Sequence, residues 1–364
     1  MSPINVRPMP KSGTWYPADL ASLTRLFAAA MASAEREIRA PRDPATAMPA
    51  SHEPLLLDAP EAADPIPCPR CSLPSGSCPC FQAVLLPHAG LMHCLPTAAF
   101  ALRRIDPSAV KRIVVLGPSH MAPFDGLGRS PFSHFATPFG AFPIDYSMIP
   151  EDLARRMENL RPGECAGEHS LELPMTMIGY MLRERMSPSS DLDGQPAADI
   201  PIVPLMVGSR MQPGDRPTVA ALLRDPGTLC VVSSDFCHYG RSFRFTPFSG
   251  SRAKEPIWTQ IKALDFEYME AISQADTERL EQLMESRDNT VCGIQPIRLF
   301  LEAMGALRPE AGCHQHGPAD TCSKNHFDRG TLQFHAYAQS SVLGRPSADP
   351  RQDHSVSYAS ASFQ

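Results

Sequence analysis

Residues 228–240 read TLCVVSSDFCHYG, and how that stretch is read decides the fold. It opens as an apolar, β-branched run of the kind that fills a strand buried on both faces, then turns polar at Asp235, Cys237 and His238. Three more runs share this character: AVLLPH (83–88), RIVVLGPSH (112–120) and IPIVPLMVGS (200–209). The helix-like PTAAFALRRI separates the first two, and PTVAALLRD separates the third from 228–240. Strands apolar on both faces that alternate with helices predict an α/β fold, with a central mixed, largely parallel sheet flanked by helices.

Working outward, residues 18–38 place Leu20, Leu23, Leu26, Phe27 and Met31 on one helical stripe. Further helices are predicted at 151–160, 171–186, 255–273 and 294–306, and the alternating TLQFHAYAQSSVL and SVSYASASF as edge or antiparallel strands. From about 40 to 80 prolines recur every few residues without periodicity, which reads as a disordered or loop insertion. The chain is thus read as one domain over 1–364, with that insertion and a second at about 308–328.

The totals narrow the function classes. A chain of 364 residues, 43% hydrophobic, can bury a full core. Its 33 basic residues form no block and its net charge is −6, so nucleic-acid binding is not expected. No run approaches the roughly 18 apolar residues of a membrane span, and the first residues lack a signal-peptide core. The expected location is the cytoplasm, with the nucleus as a second compartment. Eleven cysteines, an odd number without a secretion signal, read as thiols or metal ligands rather than as a disulfide framework.

In open α/β sheets ligands settle beyond the carboxyl ends of the strands. Three buried runs end there in His88, in His120, and in Asp235 with His238. A lone histidine after a strand is more often hydrogen-bonded structure than a ligand, but three such endings on neighbouring strands would converge on one pocket able to hold a first-row metal. Cys292 lies at the start of the predicted helix 294–306, where unpaired backbone N–H groups favour a thiolate; burial for packing is the alternative. EHSLE places His169 and Glu172 three apart at a helix start, on one face, where hydrogen-bonded support of the site is at least as good a reading as metal binding. Zinc at Cys68, Cys71, Cys78 and Cys80, or within Cys313–His326, is a weaker expectation, since the Cys78–Cys80 spacing matches no common finger. Phosphate-loop, nucleophile-elbow and His-Glu-x-x-His motifs are absent from the sequence.

Eight segments in order, SGTWYPADL (12–20), LLPHAG (85–90), VVLGPSH (114–120), GEHSLELP (167–174), VVSSDFCHYG (231–240), VCGIQPI (291–297), HAYAQSS (335–341) and SVSYAS (355–360), resemble the hallmarks of the Memo family. That family is named for mediating receptor-tyrosine-kinase-driven cell motility. The resemblance implies a fold similar to class III extradiol dioxygenases, with His88, His120 and Cys292 in the metal-ligand positions and His238, with Asp235 beside it, in the acid/base position. It also implies iron or copper with redox consequences, phosphotyrosine-peptide binding in the same pocket, and partners in cytoskeletal signalling. Trp15 matches an aromatic that lines the pocket. A thiolate in the third position softens the site and moves it away from ring cleavage. The sequence departs from the family at LMHCLPTAA (91–99), where His93 stands near His88 as a pocket residue or an added ligand. At the tip of 228–240 Asp235 is read as the group that orients His238, and alternation along the strand would turn Cys237 away from the pocket and into packing.

Overall fold

The computed structural model describes residues 5–39, 55–57, 81–183, 200–225, 227–248, 255–286, 289–307, 332–344 and 353–363. The N-terminal part contributes β1 (Val6–Arg7), α1 (Leu20–Arg39) and β2 (Leu55–Leu56). Then come β3 (Phe81–Leu86), α2 (Leu91–Leu102), β4 (Arg112–Pro118), β5 (Leu127–Arg129), and the hairpin of β6 (His134–Thr137) and β7 (Gly140–Pro143). The middle of the chain forms α3 (Glu151–Ala154), β8 (Glu158–Asn159), α4 (Pro162–Gly167), α5 (His169–Leu182), β9 (Ile202–Val207), α6 (Asp215–Leu223), β10 (Thr228–Ser233) and β11 (His238–Gly240). It closes with α7 (Ile257–Ser273), α8 (Thr277–Ser286), α9 (Ile294–Ala306), β12 (Leu332–Gln339) and β13 (His354–Phe363).

The main sheet runs in the order β2-β12-β13-β3-β10-β4-β9-β5-β8, with β11 paired to β13 beside it. Its centre is parallel: β10 pairs with β3 on one side and β4 on the other, and β4 pairs with β9. Its flanks turn antiparallel, where β13 meets β3 and β12, and where β5 meets β9. The expectation of a mixed α/β sheet between helices is met, with the parallel strands concentrated in the middle.

Period-two alternation divides the core between the two faces. Val84 and Leu86, Ile113 and Val115, Leu229 and Val231 pack with residues of α1, α2 and α5, while Ala83 and Leu85, Val114 and Leu116, Cys230 and Val232 pack with α6, α7, α8 and α9. Each fully buried aliphatic side chain of this kind contributes about 1.5–3 kcal/mol of transfer free energy. A continuous apolar run is what a strand covered on both faces requires.

Several local readings change. The helix expected at 151–160 stops at Ala154, because Glu158–Asn159 leaves it to pair with β5. Leu55–Leu56, inside the segment read as an insertion without regular structure, adds an edge strand to β12. The cysteines at 68, 71, 78 and 80 and the segment 313–326 lie outside the described residues. Among the described residues Cys94, Cys165, Cys230, Cys237 and Cys292 are free thiols, and no helix is long and apolar enough to cross a membrane.

Candidate metal centre

Because β10 lies between β3 and β4, three strand ends meet. His88, His120 and Asp235 each stand two residues beyond the last residue of their strand. The fourth contribution comes from the start of α9. A Cβ on Gly293 would lie 2.3 Å from Ser233 O and 2.4 Å from Ser234 Cβ, so glycine alone lets this turn close against the tip of β10. That closure brings Cys292 Sγ to 3.2 Å from His88 Nε2. Donor atoms of His88, His120 and Cys292 lie within 4.8 Å of one another.

The hydrogen bonds behind each ring set its tautomer. Pro174 sits inside α5 and has no N–H to give to the carbonyl four residues back, that of Ser170. Ser170 O accepts the Ser233 hydroxyl instead, at 2.6 Å. With its hydrogen committed there, Ser233 Oγ is an acceptor for His88 Nδ1 at 2.7 Å, which leaves the lone pair on His88 Nε2 facing Cys292. Glu168, at the N-cap of α5, accepts from His120 Nδ1 at 2.9 Å, from His120 N at 2.6 Å and from Ser170 N at 2.9 Å. Burial alone would raise the Glu168 carboxyl, but the His120 hydrogen bond and charge, with the two backbone N–H groups, outweigh it and hold the group at about 2. An ionised Glu168 only accepts, so His120 Nδ1 carries a proton, and the uncharged form of the ring leaves Nε2 bare. Both imidazoles therefore present Nε2 lone pairs, each backed by a hydrogen-bond acceptor, the arrangement usual behind metal-binding histidines.

Burial keeps His88 and Cys292 uncharged. Burial, reinforced by His169, His120 and His238, holds His88 well below the ordinary imidazole value. Burial, and then the charge of Asp235, push the Cys292 thiol well up. The helix start was expected to favour a thiolate; desolvation outweighs it, so without a metal Cys292 is a thiol that faces the His88 lone pair.

The other expected residues fall in different places. Asp235 was read as the group orienting His238, but its Oδ1 accepts from His88 N at 2.8 Å, and burial pushes its carboxyl up to about 7. The His238 ring is held by two carbonyls, Phe236 O at 2.8 Å and Thr290 O at 3.2 Å, both from Nδ1, so its Nε2 is bare as well. β10 ends at Ser233, so alternation does not reach Cys237; its thiol is nonetheless fully buried among Tyr239, Phe248, Ile257 and Ile261. His169 is part of the pocket wall rather than behind it, stacked on His120 at 4.5 Å between ring centroids and 4.8 Å from Trp15. Glu172 is engaged by the N-terminal segment instead of by the ligand rings, accepting from Tyr16 Oη and Lys11 N at 2.9 Å each and from Arg7 at 3.4 Å. His93 is exposed on the first turn of α2, outside the close donor groups.

Glu168, Ser233 and Thr290 escaped the sequence reading. A carboxylate just before a histidine at a helix start was the available signal for Glu168; the other two carry none, since serine and threonine are common in such positions.

A second group, His120, Glu168 and His169, also has donor atoms within 4.8 Å. Its carboxylate is already occupied by three N–H groups, so it supports the first group rather than offering a separate site.

A profile of the family described as Memo-like protein matches residues 72–362, most of the chain, with His88, His120 and Cys292 among them. The chain belongs to the Memo family. Among its curated relatives, Protein memo-1 homolog of Caenorhabditis elegans is 32% identical over 285 residues, 77% of this chain and 71% of the relative. Protein MEMO1 of Danio rerio and of Homo sapiens are each 30% identical over 286 residues, 78% of this chain and 85% of theirs. Five of the Memo motifs quoted from the sequence, LLPHAG, VVLGPSH, GEHSLELP, VVSSDFCHYG and VCGIQPI, thus coincide with the strand ends and helix starts that build the pocket.

Proposed function

We propose that this Memo-family pocket is a redox metal centre, in which His88 Nε2, His120 Nε2 and Cys292 Sγ hold iron or copper and His238 handles protons. The observation that carries the reading is the convergence of the three donors within 4.8 Å. The donor set fits the group: two imidazoles with bare Nε2 atoms and one thiol suit a soft or borderline first-row ion. Such an ion would supply one-electron chemistry at a centre softened by sulfur. Cys292 gives up its proton on binding, His88 and His120 keep their orientation through Ser233 and Glu168, and the buried surroundings of His88 limit water. His238, with Nε2 free and its ring partly exposed, is placed to take or give a proton. Kinship with extradiol dioxygenases belongs to this proposal, as does a link to motility signalling.

The test is metal content after purification, for wild type against a His88→Ala, His120→Ala double variant. Metal lost in the folded variant is the expected result; equal content overturns the reading. Cys292→Ser in metal-loaded protein should remove any sulfur-to-metal charge-transfer band.

A second reading, an adaptor that captures phosphotyrosine peptides in the same pocket, is favoured by Lys11, whose ammonium lies 4.9 Å from the Trp15 ring beside His169. Against it, burial first of all holds His169 down to about 4, so at pH 7 that ring is neutral and adds no positive charge. Titration with a phosphopeptide and its unphosphorylated twin separates the two, and equal affinity for both removes the adaptor reading.

A further inference from the structure

Asp265 lies on α7, outside every motif that marks the pocket, and it is fully buried. Its Oδ1 accepts from Cys237 N at 3.0 Å and from Asn289 Nδ2 at 2.9 Å. Its Oδ2 accepts from the Tyr337 hydroxyl at 2.8 Å, and that oxygen in turn accepts from Gln339 Nε2 at 2.9 Å. Through Oδ1 alone, the carboxylate therefore grips two chain segments that are distant in sequence.

Those two segments are the ones that hold His238. Cys237 N and Phe236 O belong to the same peptide group, and Phe236 O is the nearer acceptor of the imidazole Nδ1. Asn289, on the other side, accepts from Thr290 N at 2.7 Å through Oδ1. Thr290 then takes His238 three ways: Oγ1 accepts His238 N at 2.7 Å and donates to His238 O at 3.1 Å, and Thr290 O accepts Nδ1 at 3.2 Å. Every acceptor around the ring is thus tied, one or two bonds away, to Asp265.

We propose that Asp265 is a positioning residue for His238, holding through Cys237 and Asn289 the two carbonyls that keep the imidazole proton on Nδ1 and leave Nε2 free for proton transfer. The inference rests on the proton-handling role given to His238 above. It also accounts for a buried carboxylate that burial pushes up to about 6: the group is retained at an electrostatic cost because a neutral apolar side chain would take the shared acceptor away from Cys237 N and Asn289 Nδ2. The segment 289–293 that carries Thr290 also carries Cys292, so the same anchor serves both walls of the pocket.

The decisive measurement is the tautomer of His238 in metal-free protein, read from its two ring nitrogens by long-range proton–nitrogen NMR. In wild type the Nδ1–H form dominates. In Asn289→Ala the ratio of Nδ1–H to Nε2–H forms should fall by about fivefold to tenfold, the effect of weakening one hydrogen bond. Asp265→Ala should fall at least as far. Asp265→Asn should restore most of the ratio, since its amide oxygen can accept from Cys237 N and Asn289 Nδ2 while its NH₂ donates to Tyr337 Oη. A general loosening of the fold would also disturb His335, a buried ring on β12 bonded to Ser362 at 2.7 Å, so its signals serve as the internal control. An unchanged His238 tautomer in folded Asn289→Ala, or failure of Asp265→Asn to differ from Asp265→Ala, overturns the proposal. Because the readout needs no metal, this result stands apart from the metal-content test of the centre itself.

Discussion

Glu168 and Glu172 stand one helical turn apart at the start of α5, both fully buried, and they serve different regions of the molecule. Glu168 meets donors that are available at a helix start, two backbone N–H groups and an imidazole, and stays ionised behind His120. Glu172, past the cap, finds its donors on the N-terminal segment: Tyr16, the Lys11 amide and the buried Arg7 guanidinium. Burial dominates there; it raises the Glu172 carboxyl and lowers Arg7 even though the two are paired. The same residue type thus orients a candidate ligand in one place and fastens 7–16 over the pocket wall in the other. The difference lies in what the surrounding chain offers, since a buried carboxylate is tolerated only where its oxygens are matched.

The largest way to break this contrast is Arg7→Ala, which strands Glu172 without its counter-charge; a loss of about 3–5 kcal/mol is expected in urea denaturation. Acid titration of stability gives the next effect and separates the two carboxylates by sign. Glu168 is folded at about 2 against a reference of 4.5, so its contribution, up to about 3 kcal/mol, is complete above pH 4.5 and disappears as pH falls from 4.5 toward 2. Glu172, raised on folding, contributes in the opposite sense: it favours the folded state as pH falls through its folded value. Glu168→Gln should therefore flatten the acid limb below 4.5, and Glu172→Gln should bring the acid loss in at higher pH.

Metal affinity sharpens the comparison further. Glu168→Gln should weaken binding by about 10–100-fold through His120, as measured by competition with a chelator, while Glu172→Gln leaves the affinity of the folded protein essentially unchanged. The smallest effect belongs to Tyr16→Phe. It removes one of several donors to Glu172 and should cost about 1 kcal/mol by thermal or urea unfolding, with no change in metal content.

The pocket was partly legible because its main residues sit where local pattern ends. His88, His120 and Asp235 interrupt continuous apolar runs, and Cys292 precedes a strongly periodic helix, so each is conspicuous in a single stretch of chain. What was misread depends on partners far away in sequence. Asp235 looked like the natural orienter of His238 from its spacing, yet the turn after Ser233 sends it to the His88 amide, while Thr290 and Phe236 hold the imidazole. The shared face expected for His169 and Glu172 does exist, but it is covered by Trp15 and Tyr16 from the N-terminal segment, which no helical spacing in EHSLE could indicate.

By itself the sequence determined the α/β class, the four buried central strands and the residue types at their tips, because strand burial and helical periodicity are written within windows of ten to twenty residues. Tertiary structure alone decided that β10 would lie between β3 and β4, and so that three strand tips would share one pocket. It also decided the protonation pattern of the site. Pro174 frees a carbonyl, Ser233 takes it, and His88 is left with a bare Nε2, a chain that joins residues 145 and 63 positions apart. Hydrogen-bond partners across such separations are chosen by the packed fold, since local preference specifies where a side chain starts but not which donor or acceptor it will meet.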